Sequence, residues 1–363
     1  MEPTTLSPYD LTGKTAVITG SSRGIGRATA ETMAALGARV AVSSRSRQAC
    51  EAVAAEIRAT GGTAMAFGCN IAARAEVEAL ISEVNDQWGS VDILVCNAAI
   101  NPVRGPISGL DDAAFDKIMA TNVRSNLWLC NLTVPDMAAR GDGAVVIVSS
   151  IAGLRGRTDI GAYGISKAAD FALARNLAVE WGPRNVRINC VAPGLVKTDF
   201  ARALWQDPEL LARRTATTPL RRIGLPEEIA PVIAFLASPA AAFITGQVVV
   251  ADGGVTIARA APPPLWQRSR RPRPDSCRER WRSRHPSATH RRAGGRAPSS
   301  LAAWARHCTD RSGAQRRVLA VLAATRRPAQ GNRPTEALPF VLACHRTLAI
   351  RRPRLSERLW PVD

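Results

Sequence analysis

The 363-residue chain contains only two tyrosines. One of them, Tyr163, stands four positions before Lys167 and thirteen after Ser150, in the stretch SSIAGLRGRTDIGAYGISK. A phenol, an ammonium and a hydroxyl at those separations are the parts of a proton-transfer site. At i and i+4 of a helix, Tyr163 and Lys167 share one face. A phenol with a reference pKa of about 10 is a poor acid–base group at neutral pH, and a nearby ammonium favours phenolate and lowers that value. A serine hydroxyl leaving a strand can stabilise an oxygen on which charge develops. An exposed Tyr–Lys pair beside a hydrogen-bonded serine uses the same residue types, so the elements that carry these three residues have to decide.

Those elements alternate. KTAVIT (14–19), ARVAVS (38–43), TAMAFG (63–68), VDILVC (91–96), GAVVIVSS (143–150), VRINCVA (186–192) and QVVVAD (247–252) read as buried strands. Between most of them lie stretches with apolar residues at helical spacing, such as GIGRATAETMAALG and RAEVEALISEVNDQW. Strand–helix alternation over this length predicts an α/β fold with a doubly wound, mainly parallel sheet in a single domain.

The pattern ends near Ala258, and so does charge balance. The formal net charge of +18 comes wholly from residues 259–363, with 24 arginines and 6 acidic residues, whereas residues 1–258 are neutral overall. The segment 259–363 is rich in Arg and Pro, has no lysine, and is expected to be a disordered extension or the product of a frameshift or readthrough. A real nucleic-acid-binding segment is the other reading, and in either case the tail is expected to bind polyanions nonspecifically. Eight cysteines without a C-x-x-C pair indicate neither a disulfide framework nor a zinc ribbon, and no metal site is expected. The opening MEPTTLSPYDLTGK lacks a signal pattern and no apolar run has membrane-spanning length, so the expectation is a cytoplasmic protein with no membrane partner.

The first strand runs into TGSSRGIGRATAE, which places Gly20, Gly24 and Gly26 between a strand and a helix start. Glycines there permit a tight turn and close backbone approach, and the helix N-terminus faces a pyrophosphate. The second strand ends at Ser44-Arg45, where an acid that would hold a ribose 2′-hydroxyl is missing, and Arg23 adds a second cation. Two guanidiniums and no carboxylate favour NADPH over NADH.

Together these features resemble the classical short-chain dehydrogenase/reductase family over residues 9–258, and most closely its NADPH-dependent carbonyl reductase branch. The resemblance rests on TGSSRGIG, CNAA (96–99), TNVRSN (121–126), VSSIAG (148–153), YGISK (163–167), NCVAPGLVKT (189–198), RRIGLPEEIA and FITGQVVVADGG. It implies a Rossmann-type sheet and a catalytic tetrad of Asn122, Ser150, Tyr163 and Lys167. Tyr163 would protonate a carbonyl oxygen, Ser150 would hydrogen-bond it, Lys167 would also hold the nicotinamide ribose, and Asn122 would support a water leading to Lys167. It further implies cofactor contacts from Gly20, Ser22, Arg23, Gly24, Ile25, Gly26, Ser44, Arg45, Asn70, Ile71, Asn97, Ala98, Pro193, Gly194, Val196 and Thr198, besides Tyr163 and Lys167. Two departures stand out: Cys96-Asn97-Ala98-Ala99 replaces the family's N-N-A-G, and Asn70 replaces an acid beside the adenine.

The implied activity is hydride transfer between NADP(H) and a carbonyl or secondary alcohol, with a 3-oxoacyl thioester (acyl-carrier-protein) reductase as the alternative. A homotetramer is implied as well, packed through DDAAFDKIMATNV (111–123) and YGISKAADFALARNLAVEW (163–181). A histidine-based hydrolase is excluded, because residues 1–258 contain no histidine. A non-catalytic NADPH-binding protein would be expected to show a broken tetrad, and this one is intact.

Overall fold

All seven β-branched runs form strands in the computed structural model, which describes residues 7–258; the readings made for 259–363 lie outside the described residues. The strands are β1 (Thr15–Thr19), β2 (Arg39–Ser44), β3 (Thr63–Gly68), β4 (Ile93–Cys96), β5 (Gly143–Val148), β6 (Val186–Pro193) and β7 (Val248–Ala251). They pair in parallel throughout, in the order β3-β2-β1-β4-β5-β6-β7. A parallel sheet covered on both faces needs apolar residues at nearly every position, and β1, β4 and β5 are buried along their whole length.

The helices are α1 (Gly24–Ala35), α2 (Arg47–Ala59), α3 (Arg74–Trp88), α4 (Asp112–Met119), α5 (Ser125–Arg140), α6 (Gly161–Trp181), α7 (Pro208–Thr215) and α8 (Pro226–Ala237). Residues of α1, α2 and α8 fill the core on one face of the sheet, among them Met33, Val53 and Ile233. Residues of α3, α5 and α6 fill the other, including Leu80, Leu129 and Phe171. Local chemistry sets several ends. Ser46 Oγ accepts from Ala49 N to start α2, Asp111 Oδ1 accepts from Ala114 N at 2.7 Å to start α4, and Gly141 closes α5 in the left-handed region. At the far end of α8, the Arg187 guanidinium donates to the carbonyls of Leu236, Ala237 and Ser238.

The strands β1, β4, β5 and β7 are shorter than the runs that predict them, by two residues in the last three. Val91 and Asp92 precede β4, and Ser149 and Ser150 follow β5 rather than continuing it. The difference at β5 matters, because a strand residue is locked in the ladder whereas Ser150 stands free at the strand's C-terminal mouth. The chain reverses direction of travel across the sheet between β1 and β4, and the crevice at that switch point is where such sheets take ligands.

Candidate active site at the carboxyl ends of the strands

The glycine loop is built as a cradle. Gly20 leaves β1 with φ +66°, a left-handed conformation that favours glycine. A Cβ on Gly26 would collide with the Gly20 carbonyl oxygen and lie 2.5 Å from Asn97 Nδ2, so only glycine lets α1 start this close to the turn. Asn97, after β4, closes the cradle from beneath: its Nδ2 donates to the carbonyls of Thr19 at 2.8 Å and Gly20 at 3.1 Å. Its side chain thus clasps the loop. Thr198 approaches from the other side, with its Cγ2 3.2 Å from where a Cβ on Gly24 would lie. Thr198 Oγ1 also accepts from Ala201 N at 3.3 Å, which starts the 3₁₀ turn Asp199–Leu204.

Around the ribose end of β2, Ser44 Oγ donates to the Ser46 carbonyl at 3.2 Å, and Arg45 is exposed. Arg23 is exposed too, but its Nη1 lies 3.8 Å from Asp199 Oδ2, an acidic neighbour that the linear order did not reveal. Beyond β3, Asn70 Oδ1 accepts from Ala72 N at 3.2 Å and Ile71 is buried. Pro193 ends β6, Gly194 N donates to Ala251 O at 3.0 Å, and Val196 is buried.

Ser150, Tyr163 and Lys167 come together at the mouth of β5. Ser150 Oγ accepts from Ala152 N at 3.1 Å, so the hydroxyl oxygen is anchored and its proton is left to donate outward. The turn Ile151–Gly153 presses on α6 because a Cβ on Gly153 would meet the Lys167 carbonyl carbon and Phe171 at 2.7 Å. Tyr163 is 9% exposed, and Lys167 Nζ lies 5.8 Å from its ring centroid. The Tyr163 ring packs on Phe200 with centroids 6.0 Å apart, a contact that sequence spacing gave no means to find. Burial pushes the Tyr163 phenol above its ordinary pKa, while Lys167 and then Ser150 pull it down. The net direction is the reverse of the expected one: at this depth desolvation outweighs the ammonium.

Asn122 lies in a π-helical turn, Ala120–Arg124, between α4 and α5, and is fully buried. Its Oδ1 accepts from Ile100 N at 2.8 Å, and its Nδ2 donates to Ile100 O at 2.9 Å and Ser166 Oγ at 3.0 Å. The side chain therefore ties the loop after β4 to α6. Ser166 was not singled out in the sequence, yet it is the partner that makes this tie, and it also donates to the Tyr163 carbonyl at 2.8 Å.

A cavity of about 190 Å³ opens on Tyr163, lined by Asn101, Val103, Pro106, Ile107 and Ile118 among others. Val103, Pro106, Ile107 and Ile118 give it an apolar wall, and Asn101 and Arg104 add polar groups beside the phenol. At its edge Arg104 and Arg157 both pair with Asp159, at 2.8 and 3.1 Å, and hold that carboxyl below its usual range. A larger cavity, of about 450 Å³, lies beside β7, and none of the tetrad lines it.

A family model described as Enoyl-(Acyl carrier protein) reductase matches residues 20–256. Dehydrogenase/reductase SDR family member 4 of Bos taurus is 41% identical over 67% of this chain and 88% of its own. The chain belongs to the classical short-chain dehydrogenase/reductase family. Among solved structures, this short-chain dehydrogenase/reductase is similar to a gluconate 5-dehydrogenase from Burkholderia cenocepacia in complex with NADP and tartrate. That match has 31% identity and a TM-score of 0.67, and covers 70% of this chain and 99% of the other. It is also similar to a 7α-hydroxysteroid dehydrogenase complexed with NADH, at 37% identity and TM-score 0.66, covering 68% and 96% of the two chains.

The family's members are oxidoreductases that bind a nicotinamide cofactor, and the residues here fit that group. Glycine at position 26 lets the N-terminus of α1 start directly against the turn, where its free N–H groups suit a pyrophosphate, and this turn after β1 lies on the same carboxyl edge of the parallel sheet as Ser150 after β5.

Proposed function

We propose that this oxidoreductase is an NADP(H)-dependent carbonyl reductase using the tetrad Asn122, Ser150, Tyr163 and Lys167. The observation that carries the reading is the grouping of an anchored Ser150 hydroxyl, a buried Tyr163 phenol and the Lys167 ammonium, with the phenol facing a cavity beside it. The bound cofactor supplies a hydride to the carbonyl carbon. Ser150 donates a hydrogen bond to the carbonyl oxygen and stabilises the charge that grows there. Tyr163 gives that oxygen a proton, and Lys167 stabilises the phenolate left behind. Asn122 fixes the relative placement of the loop after β4 and α6, and so of the substrate cavity and the phenol.

NADP(H) is preferred in this reading because β2 ends without a carboxylate and Arg45 is exposed beside Ser44. Arg23, close to Asp199, contributes less than Arg45. Arg45→Asp is expected to shift the ratio of kcat/KM for NADPH over NADH by about tenfold or more toward NADH, the scale of one charge-assisted contact. Steady-state assays with both cofactors check it, and equal use of the two by the wild-type protein would remove the argument.

A second reading, a 3-oxoacyl thioester (acyl-carrier-protein) reductase, is favoured by one observation. Arg104, Arg157 and Arg214 act on one another at the cavity edge with only Asp159 among them, an excess of positive charge suited to a phosphate-bearing or acidic carrier. A screen of neutral ketones, dicarbonyls and 3-oxoacyl thioesters, following NADPH absorbance, separates the two. Reduction of ketones without a carrier supports the first, thioesters alone support the second, and no turnover with any would overturn both. A homotetramer in the cytoplasm belongs to the same proposal. Exposed Val179 and Ile165 on α6 and Leu127 on α5 would be covered on assembly, and the five free buried thiols among the described residues suit a reducing compartment.

A further inference from the structure

Lys167 has a neighbour that the tetrad does not account for. One turn along α6, Asp170 is 0% exposed, and its Oδ2 accepts from Lys167 Nζ at 3.0 Å. Its other oxygen accepts from Asn126 Nδ2 at 3.0 Å, and the same amide group donates to the Asn122 main-chain carbonyl at 2.8 Å. The Lys167 ammonium also donates to the Val148 carbonyl at 3.0 Å. An ammonium has three protons, so with two placed on protein acceptors one remains to face the crevice. Asn126 and Asp170 thus link the Asn122 main chain to Lys167 through side chains.

A lysine 2% exposed cannot keep its charge without a partner, because desolvation favours the neutral amine. Burial presses Lys167 that way most strongly of any single cause, but Asp170, with Tyr163 adding to it, reverses the direction, so the ammonium is held above the ordinary lysine value. Burial raises Asp170 above the usual carboxylate range, and Lys167 pulls it back down. The other ionisable groups around the pair are Tyr163 on α6, Cys190 on β6, Cys96 on β4 and Cys130 on α5, with Arg175 further along α6 acting on Cys190. Burial pushes the Cys190 thiol up, and the adjoining Cys130 together with burial pushes Cys96 up, so neither thiol replaces Asp170 as the counter-charge.

We propose that Asp170 is a positioning residue for the reaction: it keeps Lys167 charged and aimed at the crevice, and with Asn126 it links Lys167 to Asn122. The proposal rests on the reading of Lys167 as part of the proton-transfer site, but its test needs no substrate. The chain has only four lysines, so full-length protein labelled with ¹³C at lysine Cε gives four signals, and Lys167→Arg identifies the relevant one. In Asp170→Asn the Lys167 titration midpoint should fall by at least about one pH unit, the lower end of what a close opposite charge contributes. Asp170→Glu should restore part of that shift.

An unmoved Lys167 midpoint in folded Asp170→Asn would overturn the proposal while leaving the carbonyl-reductase reading intact. Absence of turnover with every carbonyl would do the opposite. Should Asp170→Asn fail to fold, the wild-type protein still decides: a Lys167 midpoint below about 10.4, the unperturbed value, contradicts an ammonium held by a buried carboxylate.

Discussion

Tyr163→Phe is expected to lower carbonyl reduction by about a hundredfold or more, the contribution of a positioned general acid, with NADPH affinity almost unchanged. Phenylalanine keeps the ring that packs on Phe200 and removes only the hydroxyl, so loss of the cavity wall cannot explain the result. Single-turnover rates and NADPH fluorescence titrations separate the two quantities. The wild-type pH profile carries the same assignment. Reduction needs the protonated phenol, and burial holds the Tyr163 proton above the ordinary phenol value. Reduction should therefore persist through neutral and mildly alkaline pH and fall only as the phenol ionises, whereas alcohol oxidation, which needs phenolate, should rise with pH. Near wild-type turnover in Tyr163→Phe would remove Tyr163 from the mechanism.

Gly26→Ala should weaken NADPH binding by roughly 30- to 150-fold, the equivalent of about 2–3 kcal/mol of overpacking. The added methyl would collide with the Gly20 carbonyl oxygen and press on Asn97 Nδ2, which holds the loop from beneath. Neither is the far end of a flexible chain, so the turn itself must move, and its backbone N–H groups with it. Gly182→Ala is the matched control, because φ there is −56° and a Cβ would meet nothing within 4 Å. Equal affinity in the Gly26→Ala protein and the control would mean that the cradle is not where the dinucleotide sits.

Much of this was legible in the linear chain because it is written in local patterns. Buried parallel strands demand continuous β-branched runs, and all seven were visible, as was α3 at both its ends. Tyr163 and Lys167 could be paired because helical periodicity links them without any long-range contact. What escaped depended on depth and on distant partners. The pKa direction of Tyr163 turns on burial, which residue types do not reveal. The inward role of Asn97 needs Thr19 and Gly20, 78 and 77 positions away, and the tie from Asn122 to Ser166 spans 44. Asp170 did leave a trace: an acid three residues after Lys167, on a helix face whose neighbours Phe171, Ala174 and Ala178 are all apolar. A buried charge needs a partner, and its nearest cation in the helix was Lys167.

The most direct test of the central claim follows the transferred hydrogen itself. The purified protein would be given NADPH carrying deuterium at both C4 positions of the nicotinamide, together with a ketone that it reduces, and the product characterised by mass spectrometry and NMR. One deuterium bound to the former carbonyl carbon, in a single stereochemical sense, with product formation falling about a hundredfold in Tyr163→Phe, is the outcome predicted here. Product without deuterium at that carbon, or labelled product formed equally fast by Tyr163→Phe, would contradict it.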